Sequence, residues 1–565
     1  MKNRFGKHRQ TLPSIESRFP WFLVSAIALV GTAMRALLLF STTLVPGVNG
    51  AYYLVQARSL IEHGKLGIPD LPLTFAVQAA FAKVVQWISG GTLETSILFA
   101  VKCADSMLPP LVAIPVFALV RQWTRRTGAG NWIPACAALA AAAGAPALMM
   151  VGDFQKNSLA LLWLASLLWS LHQWLEQPSF KRAALPVLFL GLLGVTHIGV
   201  FGWSLALTAP VMAIALWRST PETRRALLPW VFVGGATCAL AAGLVLWKFD
   251  PARITRLASA VAHPISYLQQ GQAQPAKSPA GAPQFMPPSG FASGMPFLRP
   301  TGATSFFSRS TALAMNWNWV PTAMLLLASA GALAAVWFKR KSLPTATVAV
   351  LGACGLVLFA FCGPWVTGDQ VMRFRLIAVG PALLCGSFAL LQLHGPKLRN
   401  CLATVMALAL LIPGIQRVTQ GATPVITAEA AGELQAMSAQ IAHPEKTLVV
   451  ARHGLEWWTA WYLHTHIAHE TALTAADWDQ FDTVYFLRQK GGMPTLAGGM
   501  PQPAGVTNRT AWSRGFAAPG AVNDPRMPAD GNVAHDGKFF TLASAPTPAV
   551  LASITNGMMA FGRFQ

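Results

Sequence analysis

Asp153 and Lys156 stand three residues apart in the stretch VGDFQKNS, residues 151–158, between two apolar runs. A carboxylate at such a boundary can face both water and a helix-bundle interior, and it could take a proton from a hydroxyl. Lys156 would keep it ionised at neutral pH. Gly152 permits a tight turn and close approach of a ligand. The same acid reads equally well as an ordinary turn residue. A second polar group lies in NGAYYLVQARSLIEHGKLGIPD, Asn49 to Asp70, with Tyr52, Tyr53, Arg58, Lys65 and a further candidate base, Asp70. Interfacial tyrosines also serve simply to anchor a span, so this loop has a bland reading too.

Cations for an anionic group come from GDQVMRFRLIAVGP, with Arg373 and Arg375 after Asp369. A guanidinium can grip a phosphate through two parallel hydrogen bonds. It can also snorkel to lipid headgroups. Two residues apart on a helix, the two arginines point in different directions, so one fits each role. His197, in VTHIGVFG, sits at a turn, where a histidine bonded to backbone is the commoner case. His464, His466 and His469, in HTHIAHE, with His453 nearby, have no strict metal-ligand spacing and read as ordinary surface.

The elements that must position these groups are apolar. Of 565 residues, 53% are hydrophobic and 11% charged, and mean hydropathy is +0.46. This describes a polytopic membrane protein. The net charge of +21 follows from basic connectors between apolar segments, and no nucleic-acid-binding signature accompanies it. The seven cysteines lie in or beside apolar runs and imply no disulfide framework.

Apolar runs near 20–42, 94–120, 131–151, 157–175, 184–199, 200–217, 227–247, 316–338, 343–363, 374–393 and 401–418 predict about eleven spanning helices. The basic N-terminus reads as the flank of a retained first helix. It and the connectors Arg121/Arg125/Arg126, Lys181/Arg182, Arg218/Arg224/Arg225, Lys339/Arg340/Lys341 and Lys397/Arg399 share one side if 72–90 does not span. That segment is therefore expected to be interfacial or re-entrant. The N-terminus is then cytoplasmic, and 43–92, 151–158, 248–315 and the tail lie outside. The expected fold is mainly α, a polytopic transmembrane bundle over 1–420 with a small extracytoplasmic α/β domain over 421–565. In the tail, ITAEAAGELQAMSAQIAH reads as a helix capped by Thr427, TLVVA and DTVYFLRQ as strands, and GLEWWTAWYLHT as a helix.

The order of parts resembles the C-type multi-spanning membrane glycosyltransferases, which use polyprenyl-phosphate-linked sugars. Carrying the likeness are the first-loop YY and ARSLIEHG, the second-loop GDFQKN, a long late loop, the arginine-bearing helix and a tail with a double tryptophan. Within that superfamily it distantly resembles the oligosaccharyltransferase catalytic subunit. The resemblance places the first-loop acid on Asn49, the second-loop acid on Asp153, the arginine on Arg373 or Arg375, and the double tryptophan on Trp457 and Trp458.

Two positions depart from the pattern: Asn49 is not an acid, and WWTAW lacks the Asp and Gly expected after the tryptophans. The implied function is transfer of a sugar from a polyprenyl-phosphate donor to an acceptor on the outer face of a bacterial-type inner membrane. Asp153, Asp70 and Asn49 would serve catalysis, and Arg373, Arg375 and Lys156 the donor phosphate. Tyr52, Tyr53, Arg58 and His197 would line the substrate. A divalent cation, Mg or Mn, would be the family's cofactor, although Asn49 weakens a metal site built from paired acids. The competing readings are a lipid-linked or small-solute transporter, for which no internal symmetry is visible, and a non-catalytic member of the same fold.

Overall fold

In a computed structural model, the described residues are 20–126, 128, 130–249, 319–339, 341–363, 365–366, 369–468, 473–490 and 531–544. The expected external segment 248–315 lies almost wholly outside them, as do His469 and much of the turn-rich stretch after 489.

The chain opens with α1 (Trp21–Phe40), α2 (Gly50–His63), α3 (Leu73–Ser89) and α4 (Leu93–Met107). A short 3-10 turn, Pro109–Val112, leads into α5 (Ala113–Arg126). Then come α6 (Trp132–Ala143), α7 (Ala145–Met149), α8 (Gln155–Glu176), α9 (Phe180–Thr196), α10 (Ile198–Arg218) and α11 (Pro221–Phe249). The bundle ends with α12 (Trp319–Lys339), α13 (Thr345–Cys362), α14 (Asp369–Leu391) and α15 (Pro396–Gln420).

Each of the eleven apolar runs forms helix. Among the described residues, eight helical stretches are both long and apolar enough to cross a membrane. The chain is an integral membrane protein of mainly helical fold. Side chains of α5, α6, α8, α10, α13 and α14 form its main core, around Trp123, Leu167, Leu207, Leu351 and Leu384. The segment expected not to span is the helix α3, whose Val84, Trp87 and Ile88 are exposed.

The tail holds α16 (Ala428–Met437), β1 (Thr447–Val450), α17 (Leu455–Leu463), β2 (His466–Ala468), α18 (Ala475–Gln480), β3 (Thr483–Gln489), β4 (Asn532–Asp536) and β5 (Phe540–Ser544). The Thr427 hydroxyl caps α16 by accepting from Ala430 N. The five strands run in the order β2-β1-β3-β5-β4. β1 is parallel to β2 and β3, whereas β5 is antiparallel to β3 and β4. The sheet does not stand alone. Leu434, Val449, Trp458 and Leu542 share one apolar core with Tyr53, Leu54, Phe75 and Ile97 from α2, α3 and α4. Burial of such side chains is worth about 1.5–3 kcal/mol each, so first loop and tail hold each other in place.

Candidate functional site

The site is made where two backbones touch. Gly47, at φ 90°, lies against the turn before α8, and a Cβ there would come 2.7 Å from Asp153 Cβ. Gly152, at φ 78°, is pressed against Pro46 from the other side. Glycine is needed at both, because positive φ and absence of Cβ are required together. The approach brings Asn49 onto Asp153. Its backbone N and its Nδ2 donate to Asp153 Oδ1 at 2.7 and 2.9 Å. Asn49 precedes α2 in the capping position but makes no side-chain cap. Its amide is committed to the acid instead. One turn later, the Tyr53 hydroxyl donates to Asp153 O at 3.3 Å and accepts from Lys156 N at 3.4 Å.

Asp153 is half-buried. Burial raises its carboxyl above the usual range, opposed by the Asn49 hydrogen bonds and by the charges of His453 and Arg373. Lys156, expected to serve Asp153 and the donor phosphate, meets the other acid of the first loop. Its Nζ pairs with Asp70, which also accepts from the Tyr52 hydroxyl and from Leu71 N. The reason is local: α8 begins at Gln155, so Lys156 is already helical and projects toward α2 and α3. The ammonium lies 5.3 Å from the Tyr52 ring centroid and 5.6 Å from that of Phe75. Burial, then Asp70, holds the Tyr52 phenol well above its ordinary value.

Below the turn a second acid is sealed in the bundle. Asp105 of α4 pairs with Arg35 of α1, both fully buried. Arg35 also donates to Asp105 O and Ala147 O, each at 2.7 Å. The other Asp105 oxygen accepts from Gly152 N at 2.8 Å. The turn carrying Asp153 is thus fixed from beneath by a buried ion pair. An apolar cleft lined by Arg35, Ser158, Leu161, Leu376 and Pro381 lies between α8 and α14.

Of the other sequence candidates, Arg373 is exposed at the start of α14 and lies within electrostatic reach of Asp153. Arg375 is half-buried near Cys362, facing another way, as their two-residue spacing requires. Arg58 is turned away from the acids. It donates to Ala460 O and Trp461 O, each at 2.7 Å, and stacks 4.8 Å from the Trp461 ring. These carbonyls close α17, where the helix dipole is negative, so Arg58 bolts the first loop to the tail. His197 takes the backbone role: its Nδ1 accepts from Val200 N at 3.2 Å and caps α10. Trp457 meets the Tyr52 ring edge-on at 4.9 Å, while Trp458 is fully buried.

His453 was the residue overlooked. Grouped by sequence with the histidines of HTHIAHE, it lies instead in the turn between β1 and α17, near Asp153. The available signal was Glu456 three residues on, whose Oε1 lies 2.8 Å from His453 Nδ1. The paired-acid metal site that the resemblance implied does not fit these residues. Asn49 brings two N–H donors to Asp153 where a second carboxylate would stand, and Lys156 already neutralises Asp70. Among the described residues no group of three His, Cys, Asp or Glu could hold a metal ion.

The helical bundle with its α/β tail, and an acid held between the segment before α2 and the turn before α8, is similar in fold to solved C-type multi-spanning membrane glycosyltransferases. Within that class it distantly resembles the oligosaccharyltransferase. The apo enzyme of Archaeoglobus fulgidus superposes with TM-score 0.50 at 13% identity, over 84% of this chain and 70% of that one. The oligosaccharyltransferase AglB from the same organism, in complex with an inhibitory peptide and a dolichol-phosphate, gives 0.51 at 12% over 82% and 69%. ArnT from Cupriavidus metallidurans in the apo state aligns over 94% of this chain and 98% of that one, with TM-score 0.46 and 13% identity. No family model matches the chain, and no curated protein sequence matches it.

Proposed function

We propose that this protein transfers a sugar from a polyprenyl-phosphate-linked donor to an acceptor hydroxyl on the outer face of the membrane, with the N-terminus cytoplasmic and the tail outside. The observation that carries the reading is the Asn49–Asp153 contact. It places one carboxylate, with Oδ1 engaged and no hydrogen bond to Oδ2 among the described residues, at the rim of a bundle of glycosyltransferase fold. Asp153 accepts the proton of the acceptor hydroxyl as its oxygen attacks the anomeric carbon. The bond from that carbon to the phosphate oxygen breaks, and its electron pair stays on the phosphate. Arg373 stabilises the growing charge there. The oriented Asn49 amide holds the base in place, and the apolar cleft beneath suits an isoprenoid chain. Dolichol-phosphate in the AglB complex supports a lipid phosphate as partner. Asp70, tied to Lys156 and Tyr52, lines the site rather than serving as base.

Purified protein in nanodiscs, given a panel of polyprenyl-phosphate sugars, is expected to release lipid phosphate and glycosylate an acceptor with at least one donor. The reading fails if no donor is consumed, or if Asp153→Asn consumes it as fast as the wild type.

A further inference from the structure

His453 is the titratable group facing Asp153 that the transfer scheme above leaves idle. Its turn is docked on the first loop: Gly454 packs on Val48, the residue before Asn49. The imidazole is half-buried and linked through Nδ1 to Glu456 Oε1 at 2.8 Å. Glu456 is itself 8% exposed, and its Oε2 has no other partner among the described residues. A nearly buried carboxylate with one hydrogen-bond partner asks for a positive charge. The bond to Nδ1 also fixes the ring, and among the described residues no hydrogen bond is made by Nε2.

We propose that His453, held as an imidazolium by Glu456, is a second phosphate-binding cation, its Nε2–H donating to the lipid-linked donor's phosphate alongside Arg373. The inference rests on the transferase reading and extends it. His453 keeps its proton throughout: the acceptor's proton goes to Asp153, and the electron pair of the broken carbon–oxygen bond goes to the phosphate. The charged groups acting on the ring are Glu456 in the first turn of α17 and Asp153 on the turn before α8. Glu456 first, then Asp153, raises the imidazole above its ordinary value, against the opposing effect of burial. The cation therefore persists to higher pH than for a free histidine. Donor affinity should decline as pH rises through that raised value.

The test is binding of a sugar-free polyprenyl monophosphate to the full-length protein in nanodiscs, titrated from about pH 6 to 9 across the histidine range. His453→Gln should bind about ten- to a hundredfold more weakly on the acid side, the span of a lost charge-assisted hydrogen bond. It should also lose the decline that wild type shows. Glu456→Gln should bind normally at the lowest pH and show its decline at lower pH than wild type. Titration of the phosphate itself appears in every variant and so cannot imitate this pattern. Equal melting temperatures confirm that the variants are folded. If wild type binds the lipid and His453→Gln matches it at every pH, the role of His453 is overturned and the transferase reading stands. If wild type binds no polyprenyl phosphate, both fall.

Discussion

Two carboxylates hold the same turn and differ in almost every other respect. Asp105 is sealed in the bundle, with one oxygen on Arg35 and the other on Gly152 N. Asp153, one residue further along the turn, is half-buried and tied by one oxygen to a neutral amide. A buried ion pair returns little net stability but is expensive to break, because the survivor is left charged in a low dielectric. An amide restrains a carboxylate without neutralising it. The first arrangement suits a fixed support, and the second suits a base whose proton affinity must remain available. Under the proposed transfer, the contrast gives Asp105 the structural duty and Asp153 the chemical one.

The largest effect should come from the chemical member. Asp153→Asn keeps shape and loses the proton acceptor, so turnover should fall by about two to four orders of magnitude, with lipid-phosphate binding and melting temperature nearly unchanged. Near-normal turnover would reduce Asp153 to a turn residue. The support should fail differently. Arg35→Met strands Asp105 and should cost about 3–5 kcal/mol of stability, seen as a drop in melting temperature in detergent. Replacing both members, Arg35→Met with Asp105→Asn, should recover most of the loss. A single mutant that melts like wild type would show that the pair supports nothing.

The helices were legible because each apolar run is long and continuous, and Thr427 announced its helix by capping chemistry. Strands β1 and β3 were legible as TLVVA and DTVYFLRQ. By contrast, β2 has three residues, and β4 (NVAHD) is mostly exposed and polar. Such strands leave no periodic apolar signal and exist through pairing with neighbours. At the site, Asn49 and Asp153 are 104 residues apart, so only the family resemblance connected them. Proximity in sequence misled for Lys156, because a helix begins between it and Asp153. It misled again for His453, which was grouped with its neighbours along the chain. Arg58 read as a substrate-lining residue because its partners Ala460 and Trp461 lie 402 and 403 residues away and cannot be inferred from composition.

Arg373 offers a smaller and sharper test of the same contrast. Its guanidinium is exposed and within electrostatic reach of Asp153. Arg373→Lys keeps the charge and loses the planar fork. The donor should bind about tenfold more weakly, the scale of one charge-assisted hydrogen bond. Arg375→Lys, on another face of α14, should leave donor affinity unchanged. The assignment is lost if the two variants behave alike in a titration of donor against turnover.

The smallest expected effect is at Asn49, the position that departs from the pattern the chain resembles. Asn49→Asp replaces an N–H donor by a carboxylate beside Asp153. Two like charges at that distance disfavour joint ionisation, so the Asp153 carboxyl should rise further. A base with a raised pKa is available only at higher pH. The acid limb of the turnover profile should therefore move up, and turnover near neutral pH should drop several-fold while turnover at high pH is kept. The variant also restores the paired acids that a divalent cation needs. Millimolar Mg or Mn should return part of the neutral-pH activity to Asn49→Asp, and a chelator should remove it again. Wild type should respond little to either addition, because Asn49 and Lys156 already neutralise or restrain the carboxylates a metal would bind. A wild-type enzyme silenced by a chelator, or an Asn49→Asp profile superimposable on wild type, would show that the amide does not set the behaviour of Asp153.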